Sequence, residues 1–349
     1  MSTYMHDIKF GATLQGVSPP DQFIAAVRQM EDWGYDYFWL TDSSLHARYV
    51  YSYLTLAAVN TTHMMLGTDC THPHTRHPAI NVNAMATINE MSGGRGILGI
   101  GAGDSPVQEL GLPIAKVSEL RAMVEAARRL LSGERFDFDG PHFKLRNAAI
   151  QYGLEGVNPP KIHLVVSGPR MLELAGEVAD GALIQCGAFK GGLEFALKHL
   201  RIGAERAGRR VEDMDIGWLL FGIVAGADRE AARKAIRPLA TWFPMRAPAY
   251  CEVAGIPPDL VDRIKAVYAG GEFHEAREAH ELATDQMIDA FTVAGTPEEW
   301  RERIAMGYEL GIRHIELFLI GSDPMLPNDF ANKVMPLVRG TQKPHTAPR

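Results

Sequence analysis

Three short stretches of this chain gather side chains able to do chemistry. The first is G-T-D-C-T-H-P-H-T-R-H-P, residues 67–78, which brings together Asp69, Cys70, Thr71, His72 and His74. The His-x-His spacing could form half of a metal site. On a barrel such a site needs further histidines after other strands and an aspartate after the last one. His163 falls inside its apolar run and His314 at the start of another, so neither stands where a ligand would be needed. The histidines read as members of a mixed loop, and no metal is expected.

The second stretch is G-I-G-A-G-D, residues 99–104. Ala102 and Gly103 would let the backbone approach a flat or phosphorylated ligand closely. Asp104 follows as an acid/base candidate, with a solvated surface carboxylate as the equal alternative. The third is V-S-G-P-R-M, residues 166–171. Ser167 and Gly168 precede a helix opened by Pro169, whose free N–H groups and dipole favour an anion such as phosphate. A plain serine cap accounts for the same residues.

Short apolar runs alternating with amphipathic segments position these stretches. Strands are expected at 8–14, 37–42, 64–70, 96–103, 161–166, 182–187, 215–225 and 314–321, most of them followed by a segment of helical period. A D-G turn signal marks a hairpin within 135–150. Eight such alternations favour an α/β fold, a closed (β/α)₈ TIM barrel with insertions, over an open sheet. The helix after the first strand lacks G-x-G-x-x-G, so no dinucleotide fingerprint is present. The barrel is expected to be one domain over 1–340. A helical insertion is expected at about 228–290, and a disordered tail at 341–349. Trp242, Phe243, Met245 and Arg246 in that insertion are candidates for a pocket wall, a lid, a subunit contact or ordinary core.

The bulk properties narrow the partners. The 349 residues carry a net charge of −7 and no Lys/Arg block, which argues against nucleic acid and anionic membranes. Cys70, Cys186 and Cys251 are widely spaced, so neither a disulfide framework nor a zinc ribbon is expected. With no signal-type N-terminus and no long apolar run, the expected setting is the cytoplasm. The expected partner is a small-molecule substrate, with the chain as a homodimer or higher homo-oligomer.

Taken together, WLTDS (39–43), LGTDCTHPHTRHPA (66–79), GILGIGAGD (96–104), VSGPRMLELAGEVADG (166–181) and FTVAGTPEEW (291–300) resemble the bacterial luciferase-like superfamily. Within it they are most similar to coenzyme F420-dependent methylenetetrahydromethanopterin reductases. The resemblance runs in order from about residue 8 to 340. It implies a hydride-transferring oxidoreductase with a deazaflavin at the barrel mouth; the alternative is an FMN-dependent monooxygenase using dioxygen. It implies a cis peptide at Asp69–Cys70 behind the ring, and a ring contact from Asp42. The phosphate would sit at Ser167 and Gly168. Cofactor contacts are expected from Asp42, Asp69, Cys70, Thr71, His72, Ala102, Gly103, Val166, Ser167, Gly168, Arg170 and Met171. Asp104, Asp42 and Ser43 are the catalytic candidates, and Thr13 and Lys190 the substrate handles.

Two residues depart from the family pattern. The methanopterin reductases carry a glutamate where F-G-A-T places Thr13. The F420-dependent sugar-phosphate dehydrogenases carry a histidine where this chain has Ser43. Both departures bear on the substrate and leave the cofactor platform intact.

Overall fold

The computed structural model describes residues 4–152, 156–226, 228–267, 277–318 and 326–340. The tail at 341–349 and the last strand's mouth at 321–323 lie outside them. Eight parallel strands close into a barrel: β1 (Lys9–Leu14), β2 (Tyr37–Leu40), β3 (Met65–Thr68), β4 (Gly96–Ile100), β7 (Lys161–Val166), β8 (Gly181–Ile184), β9 (Asp215–Val224) and β11 (His314–Phe318). β8 pairs with β9, β9 with β11, and β11 with β1, which closes the ring. The expected TIM barrel is present. β5 (Phe136–Asp139) and β6 (Lys144–Ala148) form the antiparallel hairpin signalled by the D-G turn.

Several strands end earlier than the apolar runs do. β2 stops at Leu40 and β3 at Thr68, because Thr41, Asp42, Asp69 and Cys70 leave the ladder to build the mouth. One strand was not expected. β10 (Thr292–Gly295) pairs in parallel with Phe221–Val224, the half of β9 that overhangs the barrel. Four residues between two helical segments carry little periodic signal, and the overhang supplies their pairing partner. The closing segment is also less regular than a single helix. A π-turn at Phe330–Val334 separates Leu326–Asp329 from Met335–Arg339. Between β9 and β10 the described elements are helices, among them Arg229–Ala240, Trp242–Arg246 and Pro248–Val253.

The barrel interior is unusual in its chemistry. Such interiors are commonly filled with Val, Ile and Leu. Here period-two alternation along β11 puts His314, Glu316 and Phe318 in one column, from floor to mouth. Tyr37 stacks on His314 with ring centroids 3.9 Å apart, and Trp39 lies 5.6 Å from His163. Bulky rings fit because glycines face them. Gly11 pairs with both Tyr37 and Glu316, and a Cβ there would stand 1.8 Å from a Glu316 carboxylate oxygen. Gly11→Ala is therefore expected to overpack the barrel and lower stability by about 1–3 kcal/mol in denaturant unfolding.

Candidate active site

The loops after the strands surround a cavity of about 480 Å³ at the C-terminal mouth, where barrel enzymes place their chemistry. Thr41, Asp42 and Ser43 come from the end of β2, and Asp69, Cys70 and His72 from the end of β3. Ala102, Gly103 and Asp104 follow β4. Val166 ends β7, Ser167 and Gly168 form the turn after it, and Met171 lies in the first turn of the helix Pro169–Val178. The Asp69–Cys70 peptide is cis, as the resemblance implies. Gly101 accommodates that bend: a Cβ there would meet the Cys70 sulfur at 2.2 Å.

Asp42 is held by an arginine that sequence reasoning quoted but did not single out. Arg76 grips it bidentately, with Nη2 to Oδ1 at 2.7 Å and Nη1 to Oδ2 closer still. Both side chains are nearly buried, at 12% and 3% exposure. The guanidinium sits between Tyr49 and Tyr51, 4.8 and 5.3 Å from the ring centres. Burial disfavours its charge, but Asp42 outweighs this and raises the Arg76 pKa. Asp42 is thus committed to a buried ion pair in the wall.

Two other wall atoms have no protein partner. Thr41 and His72 line the cavity, and their Oγ1 and Nε2 atoms are buried and make no hydrogen bond. Burial lowers the His72 pKa to about 4, so the ring is neutral, with Nδ1 3.1 Å from Thr75 Oγ1. A buried polar atom left unpaired costs roughly 1–3 kcal/mol, and a polar ligand would remove that cost.

At the rim, Asp104 Oδ1 lies 2.6 Å from Arg246 Nε, which ties the helix Trp242–Arg246 to the loop after β4. Trp242 and Met245 face the same cavity, whereas Phe243 is buried and stacks on Phe291. The helix after β7 starts from Gly168 with no side-chain cap, so Ser167 is not the N-cap. Its carbonyl accepts a hydrogen bond from Tyr250, at 2.9 Å.

Beneath the cavity runs a buried polar column. Thr13 Oγ1 is 2.9 Å from Asp69 Oδ2 and 3.0 Å from Glu316 Oε1. The other Glu316 oxygen lies 3.1 Å from His314 Nε2, and His314 Nδ1 lies 3.5 Å from Asp215 Oδ1. Asp215 accepts from Tyr37 at 2.9 Å, with His163 Nε2 3.7 Å away. Burial pushes the Asp69 carboxyl up to about 6 and that of Glu316 up to about 7. Burial alone would lower His314, but Asp215 and Glu316 outweigh it and hold it at about 9. Asp215 stays well below the usual carboxylate range, because His314, His163 and Tyr37 outweigh its burial.

The sequence matches the family described as luciferase-like monooxygenase over residues 3–314. The chain belongs to the luciferase-like monooxygenase family. It is 33% identical over 302 residues to the 5,10-methylenetetrahydromethanopterin reductase of Methanolobus tindarius, covering 85% of this chain and 89% of that one. It is 28% identical over 333 residues to the F420-dependent glucose-6-phosphate dehydrogenase of Nakamurella multipartita, covering 90% and 92%. Among solved structures it is similar to the coenzyme F420-dependent tetrahydromethanopterin reductase of Methanopyrus kandleri. That match has a TM-score of 0.81 at 26% identity and covers 95% of this chain and 99% of that one.

In this luciferase-like protein the structure places four sequence-predicted site residues away from the cavity wall. Thr13 is fully buried below the cavity, because its hydroxyl faces inward onto two carboxyl groups. Thr71 is also fully buried, and its backbone bridges to Gly99 and Gly101. Arg170 points along the first turn of its helix into a neighbouring groove with Lys116 and Arg121. Lys190 starts the helix Lys190–Arg206, 3.7 Å from Glu194, in a surface cleft with Arg229 and Glu299. The sequence reading missed Thr41, Arg76 and Glu316. Glu316 did leave a signal: it is the single charge in the apolar run I-E-L-F-L-I.

Arg76→Ala would leave Asp42 charged, buried and unpaired. It should cost about 3–5 kcal/mol of unfolding free energy, while Asp42→Asn with Arg76→Met should recover much of that loss. The column also sets a pH dependence. Asp69, Glu316 and His314 all have raised folded-state pKa values, so their contributions are full at low pH and fade as pH rises through about 6, 7 and 9 respectively. The melting temperature should fall steadily from pH 6 to pH 9, and His314→Gln should flatten the alkaline part of that fall.

Proposed function

We propose that this protein is an F420-dependent oxidoreductase that transfers a hydride between the deazaflavin and a small organic substrate. The observation that carries the reading is the mouth cavity, whose lining residues Thr41 and His72 each hold a buried, unpartnered polar atom. It lies in a chain similar over nine-tenths of its length to proteins described as F420-dependent. When bound, the deazaflavin supplies or accepts two electrons as a hydride, so the protein need only position the substrate and manage one proton.

The residues present fit the group. Thr41 and His72 offer a hydroxyl and a neutral imidazole to polar ring atoms. Ala102 and Gly103 carry little side chain, which suits close approach of a flat ring. Ser167, Gly168 and Met171 form an uncapped helix start that suits a phosphate. Phe221, Phe318 and Trp242 line the cavity and pack edge to face, an apolar wall that suits a substrate carbon. Thr13 and Ser43 stand where the resemblance implies a glutamate or a histidine, which points to a substrate other than methylenetetrahydromethanopterin or glucose 6-phosphate.

Fluorescence titration of the purified protein with oxidised F420 and with FMN tests the cofactor. F420 should bind, and Ser167→Asp should weaken it by about 1–2 kcal/mol through charge repulsion at the helix start. Candidate substrates mixed with reduced or oxidised F420 under anaerobic conditions should turn over. Activity only with reduced FMN and dioxygen would make the protein a monooxygenase.

A further inference from the structure

The cavity wall divides by strand into two halves of different chemistry. β2, β3, β4 and β7 lead into Thr41, His72, Ala102, Gly103, Ser167 and Gly168, the half that suits the deazaflavin. The opposite half of the ring is β8, β9, β11 and β1, each paired with the next. At their mouth ends stand Gln185, Phe221, Phe318 and Gln15, in that order. Two amide side chains thus flank a pair of aromatic rings. Phe221 and Phe318 pack edge to face with centroids 5.5 Å apart, and Trp242 adds a third ring 6.1 Å from Phe221. Met245 lines the cavity from the same short helix as Trp242.

Charge around the cavity is already matched. Among the described lining residues Arg246 is the one Lys or Arg. Its Nε lies 2.6 Å from Asp104 Oδ1, and its Nη1 lies 3.3 Å from Gln108 Oε1. Residues 319–325, which follow Phe318 in the sequence, contain no Lys or Arg. An anionic substrate placed against the rings would lose its hydration and find no free cation among the described residues, which is costly for any buried charge. A cation fares no better. Asp42 and Asp104 are paired with arginines, and Asp69 accepts a hydrogen bond from Thr13.

The polar groups that this half does offer are neutral. Gln15 and Gln185 are half-buried, and neither side-chain amide has a hydrogen-bond partner among the described residues. A carboxamide presents an acceptor oxygen and two N–H donors. A carbonyl oxygen can only accept, whereas the alcohol related to it by hydride transfer both accepts and donates. A carboxamide meets both members of such a pair, so the same residue can hold the molecule before and after the transfer.

We propose that the β8–β9–β11–β1 half of the cavity is the substrate subsite, built for an uncharged, mainly apolar molecule whose carbonyl or hydroxyl oxygen is held by Gln15 or Gln185. The assignment rests on the oxidoreductase reading above and names its substrate class. The three rings and Met245 favour apolar surface. The lack of a free cation selects against phosphorylated and carboxylated compounds. The two glutamines touch the substrate and orient it, and they exchange no proton with it.

The test is binding to the full-length apoprotein, followed by calorimetry. The probes are 4-phenylbutan-2-one, its alcohol 4-phenylbutan-2-ol, 3-phenylpropanoate and 3-phenylpropylammonium, which share a phenylalkyl body and differ at one end. The ketone and the alcohol should each bind at least about 10-fold more tightly than either ion. Replacing both amides, Gln15→Met with Gln185→Met, keeps side-chain length and removes the polar atoms. It should weaken the ketone and the alcohol about 10-fold. Met245→Arg places a cation beside the rings and should strengthen 3-phenylpropanoate about 10-fold. An ion bound as tightly as the ketone, a ketone that does not bind, or unchanged ketone affinity in the folded double variant overturns the subsite. Titration with F420 separates this from the reading beneath it. Ketone binding as expected without F420 binding keeps the subsite and removes the oxidoreductase reading. F420 binding without ketone binding does the reverse.

Discussion

Glu316 sits at 0% exposure in the middle of a closed barrel, and taking a carboxylate out of water costs several kcal/mol unless its surroundings repay it. Much of the interior reads as that repayment. Gly11 gives it room, and Thr13 and His314 give it hydrogen-bonding partners. Asp215 keeps His314 protonated, and Tyr37 both bonds Asp215 and stacks on His314. An aliphatic residue at 316 would leave Thr13 and His314 short of partners and Gly11 facing a void. The interior is a coupled set, in which each residue type makes sense only beside the others.

The mouth is governed by a different balance. Asp42 is neutralised by Arg76, and Asp104 by Arg246, so two carboxylates near the cavity are already matched by cations. The second pair is more exposed, and it joins the barrel to the helical segment between β9 and β10. Tyr250 adds another tie, through its bond to the Ser167 carbonyl. Trp242 and Met245 are thereby held over the cavity, so its shape depends on contacts between segments far apart in the chain. Polar atoms without partners remain at Thr41 and His72, the places where a ligand would be recognised.

The sequence by itself determined the barrel, because β–α alternation is local and each strand's apolar run can be read in a window of a few residues. It also located the mouth. G-I-G-A-G-D, V-S-G-P-R-M and the stretch from Asp69 to His72 all follow such runs, and chain direction alone sends them to one end. It gave no comparable handle on side chains that meet across the barrel. Thr13 and Glu316 are 303 positions apart, and Asp42 and Arg76 are 34 apart. Whether a carboxylate stands free in a cavity or is locked in an ion pair depends on that distant partner. Lys190 and Arg170 follow strands as the others do, yet the direction in which each begins its helix turns them to other surfaces. Only the tertiary structure decided which groups meet, because strand register and barrel closure fix distances that no local pattern encodes.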